Sequence, residues 1–263
     1  MEIIIKSDYD GICEEAAGII YHAWKKKRSL VLGMATGKTP LGLYEKLIGL
    51  YRKGEMDFSD AAGFSLDEYL GLEETHPQSF AFYIENHFYR HINIKRENIN
   101  RLSGKPADIE EHCRAYETKI RRLGGIDIQI LGIGRNGHIG FNEPGSSLSS
   151  RTRLKTLTKE TIEASAPFFK DEKEVPRFCL TMGIGTILES RLIILLASGK
   201  DKAEIIAKAI EGPITTFVPA SALQLHPQAK FIIDGEAASE LARKDYYRWT
   251  YENKEKVSGL LKK

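Results

Sequence analysis

Apolar residues along the chain follow two rhythms: short unbroken runs, and stripes that recur every three or four positions. Glu2–Lys6, with three successive isoleucines, predicts a first strand. From Tyr9 the apolar positions Tyr9, Ile12, Cys13, Ala16, Ile19, Ile20, Ala23 and Trp24 predict a helix with one buried stripe. The basic run at 25–28 closes that helix where cations oppose the dipole, and it reads as a solvated helix end rather than a nucleic-acid patch. Residues 29–35 predict a second strand, and Thr39–Pro40 opens the next helix, with Thr39 as cap and Pro40 at the first position. The alternation continues with a strand end at 64–66, helices at 79–90 and 108–123, strands at 126–131 and 191–197, a helix at 202–210 and a strand at 229–234. Near-continuous apolar strands alternating with helices predict an α/β fold, a single doubly wound, mostly parallel sheet with helices on both faces. Neither a repeat nor a Pro/Gly-rich linker divides residues 1–263, so one domain is expected.

In such sheets ligands bind beyond the carboxyl ends of the strands. Four post-strand segments there, 33–40, 67–71, 132–145 and 198–202, are rich in Gly or polar residues. Gly33-Met34-Ala35-Thr36-Gly37-Lys38-Thr39 is one residue short of a P-loop, yet Gly37, Lys38 and Thr39 offer backbone N–H groups at a helix start, where a phosphate is favoured. This misfit, with no obvious magnesium-binding partner segment, argues against a P-loop NTPase. Gly132, Gly134 and Gly137 spell GxGxxG, but Gly140, Pro144 and Gly145 prevent the helix that a dinucleotide site needs. What that loop carries is His138, the side chain suited to moving protons near neutral pH, with Glu143 able to curl back to it. If the loop is extended, Asn136 and His138 address one pocket. Asp67 and Glu68 follow a strand end, where a carboxylate can act as a base or merely cap a turn.

Composition narrows the function classes. Lys plus Arg total 38 against 36 Asp plus Glu, a net +2, which disfavours nucleic-acid binding through a broad basic surface. Hydrophobic residues make up 42%, enough for a core. The longest apolar run, Leu192–Ala197, is far short of the roughly 20 residues that span a bilayer, so no membrane partner is expected. The start MEIIIKSDYD lacks a basic segment followed by a long apolar one, and three scattered cysteines form no CxxC pair; a cytoplasmic location is expected.

Taken together, MATGKTP, SLDEYLGL, GIGRNGHIGFNEPGSS, SRTRLKTLT and ALQLHPQA resemble the glucosamine-6-phosphate deaminase (isomerising) family, in order and spacing over nearly the whole chain. Galactosamine-6-phosphate deaminases are close neighbours of that family and 6-phosphogluconolactonases share a similar fold. The resemblance implies conversion of glucosamine 6-phosphate and water to fructose 6-phosphate and ammonia, with no metal or redox cofactor, in amino-sugar catabolism. It makes Asp67 the base that moves a proton from C2 to C1, His138 the general acid/base of ring opening, and Glu143 the carboxylate that orients His138. It gives Thr36, Gly37, Lys38, Thr39 and Lys202 to the substrate phosphate.

Two positions depart from the family pattern. Asn136 stands where many members carry Asp; an Asn can orient the imidazole by a hydrogen bond but cannot neutralise it, which leaves the electrostatic support to Glu143. Pro167 stands where some members place a phosphate-binding Arg, inside a stretch, 159–176, that reads as a mobile lid with Lys170 as a substitute cation. Some members are hexamers activated by N-acetylglucosamine 6-phosphate and others are smaller and unregulated. Ser146, Arg153 and Lys155 match parts of that effector pocket, so monomer and homo-oligomer are both open. A lactonase or another sugar-phosphate isomerase, and a silent sugar-phosphate sensor, are the competing readings. Asp67 argues against the lactonase, and the complete set Asp67, His138 and Glu143 against the sensor.

Overall fold

Seven strands pair wholly in parallel, in the order β1, β10, β9, β6, β2, β3, β5. They are β1 (Glu2–Lys6), β2 (Val31–Met34), β3 (Ala62–Ser65), β5 (Ile99–Asn100), β6 (Ile128–Leu131), β9 (Leu192–Ala197) and β10 (Ala229–Asp234). Every residue of β2, β3 and β6 is buried, and so is β9 from Ile193 onward. Successive strand residues face opposite sides, so unbroken burial means that both faces of the sheet are covered. The computed structural model describes residues 1–254; residues 255–263, the end of the expected domain, lie outside the described residues.

The covering helices are α1 (Tyr9–Lys26), α2 (Leu41–Arg52), α3 (Phe80–His87), α4 (Ile109–Arg122), α5 (Lys159–Ser165), α6 (Ile184–Leu188), α7 (Ala203–Ile210) and α8 (Lys244–Glu252). Their ends follow local chemistry. Asp8, Ser79 and Asp108 each accept a backbone N–H three residues on, and Lys25 and Lys26 occupy the last turn of α1. One expected cap is wrong. Thr39 does not cap α2; Pro40 stands at the cap position with no side-chain bond, and the Gly42 N–H is instead satisfied by the Tyr9 hydroxyl, 2.9 Å away, from α1.

The expectation of one sheet is also corrected. β4 (Asp67–Tyr69), β8 (Phe178–Thr181) and β7 (Arg153–Thr156) form a separate antiparallel sheet. Asp67 therefore opens a new strand instead of ending the old one. The turn is abrupt: Leu66 N–H donates to Met34 O in the main sheet, and Leu66 O accepts from Met182 N–H after β8. One residue stitches the two sheets together just before the expected base.

Candidate active site

Four neighbouring strands, β9, β6, β2 and β3, deliver their carboxyl ends to one side of the main sheet. The loops that follow them are residues 198–202, 132–145, 35–40 and 66–67.

The 132–145 loop is a tight turn, curled as its glycines allow and not extended at Asn136–His138. Gly137 N–H donates to Gly134 O, and Gly134 N–H to His138 O. A Cβ at Gly134 would lie 2.2 Å from the His138 ring, so only glycine lets the imidazole sit over this backbone. The turn, with a bridge between Ile139 and Asn142, returns Glu143 to within 3.4 Å of His138 Nδ1. That contact is long for a hydrogen bond, and Nδ1 is buried with no hydrogen-bond partner among the described residues. Catalytic contacts of this kind commonly tighten once substrate is bound.

Asn136 does not orient the imidazole by a hydrogen bond, as sequence suggested. Its Nδ2 donates to Glu143 Oε2 at 2.8 Å, and its Oδ1 accepts the His138 backbone N–H. On its other oxygen Glu143 accepts the Thr161 hydroxyl at 2.5 Å and, more weakly, the Thr158 N–H. Burial opposes ionisation of Glu143, but His138 and these donors outweigh it and hold the carboxyl at about 2. Thr158 caps α5 just before the 159–176 stretch and Thr161 lies in its first turn, and sequence reading missed both. The signal was present, since T-x-x-T before a helix is a cap pattern, but nothing in the sequence says which carboxylate it faces.

Asp67 is 6% exposed. Burial, with the negative Glu68 beside it, pushes its carboxyl up to about 8. Strand alternation separates the two acids by role. Glu68 accepts the N–H groups of Tyr69, Phe80 and Ala81 and so caps α3; burial nonetheless pushes its carboxyl upward. Asp67 pairs in register with Thr181, whose hydroxyl accepts the Phe141 N–H of the His138 loop. Gly140 of that loop packs against Thr181 and Leu66. The loop carrying His138 and Glu143 is thereby seated against the strand that begins with Asp67.

The 35–40 loop exposes Gly37 and Lys38, with Thr36 and Thr39 half-buried and Gly37 at φ +97°. Lys202, just before α7, reaches across to Ile133 O at 3.0 Å, and burial lowers its pKa. Arg135 also lowers it, so a second cation stands close by. Lys38 Nζ lies 5.9 Å over the Phe168 ring, next to Pro167. Of the remaining expected residues, Arg153 donates to Asn142 Oδ1 at 2.9 Å, while its Nη2 and the Ser146 hydroxyl are buried without hydrogen-bond partners among the described residues. Lys155 follows on β7, and its carbonyl accepts from Cys179. Among the described residues no hydrogen bond or ion pair links Ser146, Arg153 and Lys155 to one another. Among the described residues no three His, Cys, Asp or Glu side chains gather as a metal site, and no helix is long and apolar enough to cross a membrane.

Known proteins share both the sequence and the fold. Residues 9–232 match the family described as glucosamine-6-phosphate isomerases/6-phosphogluconolactonase. A glucosamine-6-phosphate deaminase of Thermoanaerobacter pseudethanolicus is 51% identical over 245 residues, which is 93% of this chain and 97% of the relative. A solved monomeric glucosamine-6-phosphate deaminase superposes with a TM-score of 0.89 at 45% identity, covering 91% of this chain and all of the other. A 6-phosphogluconolactonase of Thermotoga maritima shares the fold, with a TM-score of 0.71, 20% identity and coverage of 89% and 99%. With a family match over most of its length and a half-identical relative spanning nearly all of it, the chain belongs to the glucosamine-6-phosphate isomerase/6-phosphogluconolactonase family.

Proposed function

We propose that the chain is a glucosamine-6-phosphate deaminase, converting glucosamine 6-phosphate and water to fructose 6-phosphate and ammonia in amino-sugar catabolism. The observation that carries the reading is the meeting of a proton-transfer set with an anion-ready loop: Asp67 and the His138–Glu143 pair lie at the same strand ends as residues 36–39 and Lys202. A lactonase needs no group to move a carbon-bound proton, and a sensor needs no imidazole held by a buried carboxylate.

In this reading the phosphate is held by Thr36, Gly37, Lys38, Thr39 and Lys202. His138 carries a proton between the anomeric hydroxyl and the ring oxygen, which opens the ring, and Glu143 stabilises the cationic imidazole. Asp67, as the carboxylate, takes the C2 proton and returns it to C1. Water then adds at C2 and ammonia leaves, so the new carbonyl oxygen comes from water. General acid–base steps of this kind contribute roughly 10²–10⁴-fold each.

Residues 159–176 act as the lid of this single domain. Lys38, beside Phe168, supplies the positive charge that Pro167 cannot. The likeness to a monomeric deaminase supports action as a monomer. Ser146, Arg153 and Lys155 are assigned to an N-acetylglucosamine 6-phosphate effector pocket, supported by the unpartnered Arg153 Nη2 and Ser146 hydroxyl.

The test is incubation with glucosamine 6-phosphate, reading ammonia and fructose 6-phosphate together, with Asp67→Asn alongside. Equal amounts of both products are expected from the native chain and none above background from Asp67→Asn. Tight substrate binding without product would leave a sensor. Repeating the assay with N-acetylglucosamine 6-phosphate tests the effector pocket, since a flat rate curve removes that assignment.

A further inference from the structure

The loop between β2 and α2 is held by its carbonyl oxygens, and three tyrosines on three helices do most of the holding. Tyr9 on α1 shares its hydroxyl proton between Thr39 O at 2.9 Å and Lys38 O at 3.2 Å. Tyr44 on α2 donates to Ala35 O at 2.5 Å. Tyr83 on α3 donates to Gly37 O at 2.6 Å. The N–H side of the same loop is the reverse. Among the described residues, no backbone N–H of Thr36, Gly37, Lys38 or Thr39 donates to a protein acceptor.

The carbonyls of Ala35, Gly37, Lys38 and Thr39 are held on one side of the loop, which leaves its N–H groups on the other side open to an anion. A peptide plane can rotate, however, and bring its carbonyl to the place of its N–H. Gly37, at φ +97°, is the residue best able to do so. A carbonyl turned inward would repel a phosphate oxygen. Burial pushes all three phenols up, Tyr9 to about 12, so each keeps the proton it donates.

We propose that Tyr9 and Tyr83 are positioning residues for the substrate phosphate: by holding the carbonyls of Gly37, Lys38 and Thr39 they keep the N–H groups of the loop turned toward it. Neither touches the phosphate through its own hydroxyl, which is committed to the loop. The inference rests on the reading that residues 36–39 hold the phosphate. It also couples that loop to the base: Tyr83 stands one turn into α3, whose first N–H groups are capped by Glu68, the neighbour of Asp67.

The experiment is steady-state kinetics of Tyr9→Phe, Tyr83→Phe and the double variant with glucosamine 6-phosphate, plus competitive inhibition by inorganic phosphate. Each single substitution is expected to raise both KM and the inhibition constant roughly three- to tenfold, the factor that one lost hydrogen bond carries, with kcat within about twofold. A fall in kcat at unchanged KM, which loss of folded enzyme also produces, overturns the proposal, as do unchanged constants throughout. If Tyr9→Phe does not fold, the half-buried Tyr83→Phe decides alone. Lys202→Met separates the two levels. If it raises both constants while the tyrosine variants do not, only the clamp fails; if it too leaves them unchanged, the phosphate placement fails and the clamp with it.

Discussion

At the scale of single residues, the proton chemistry converges on Glu143. Each of its hydrogen bonds comes from a donor, Asn136 on one side and Thr161 and the Thr158 N–H on the other, and the imidazole stands 3.4 Å away. A carboxylate surrounded in this way stays ionised, and it can hold an imidazolium without taking the proton itself. Asn136 adds one hydrogen bond to that carboxylate and fixes the His138 backbone, a supporting contribution. Glu143→Gln is therefore expected to lower kcat by roughly 10²–10³-fold, since the amide is neutral and turns an N–H toward a donor. Asn136→Ala is expected to cost about tenfold, the lower end of what one hydrogen bond to a charged group contributes. Rate measurements that reverse this order would move the electrostatic support from Glu143 to Asn136.

At the scale of elements, legibility tracked length and pattern. Ala229–Asp234 and Glu2–Lys6 read correctly end to end because an unbroken apolar run is all that a doubly covered parallel strand requires. The α4 helix read within a residue because Asp108 caps it and Gly124, at φ +81°, stops it. The second sheet was illegible. β4 is three residues of which two are acids, and β7, Arg-Leu-Lys-Thr, alternates half-buried and exposed positions and looks like a solvated loop. His138 and Glu143 were legible as a pair because glycines surround them. Glu68's capping of α3 was not, because it depends on a helix that starts twelve residues later.

Helix α5 belongs to the same class of hidden partner, since Thr161, its third residue beyond the Thr158 cap, carries no mark of where it docks. Thr161→Val removes a 2.5 Å donor to Glu143 at nearly constant volume. The expected result is a kcat lowered several-fold, with the acidic limb of the kcat profile moved to higher pH, because Glu143 loses part of what holds it near 2. An unchanged pH profile would mean that this end of α5 does not control the carboxylate.

At the scale of the whole molecule, the near balance of 38 cations and 36 anions hides two buried acids that pull stability in opposite directions with pH. Glu143 is held below its ordinary 4.5, so the stability it contributes is present above about 4.5 and is lost as pH falls toward about 2. Asp67 is raised from 3.8 to about 8. Between those values the unfolded chain has released this proton while the folded chain retains it, so stability falls as pH climbs through that window. The residue proposed to take the C2 proton is thus one whose ionised form the fold disfavours. Asp67→Asn removes the charge while keeping the shape. Its Tm is expected to exceed that of the native chain at about pH 8, and the gap should shrink steadily toward about pH 4, where both side chains are neutral. For a chain of this size each kcal/mol moves Tm by roughly 2–4 °C, so thermal unfolding across that pH range resolves the effect. A gap that stays constant with pH, or a variant less stable than the native chain at pH 8, would mean that Asp67 is solvated or paired and ionises as an ordinary carboxylate.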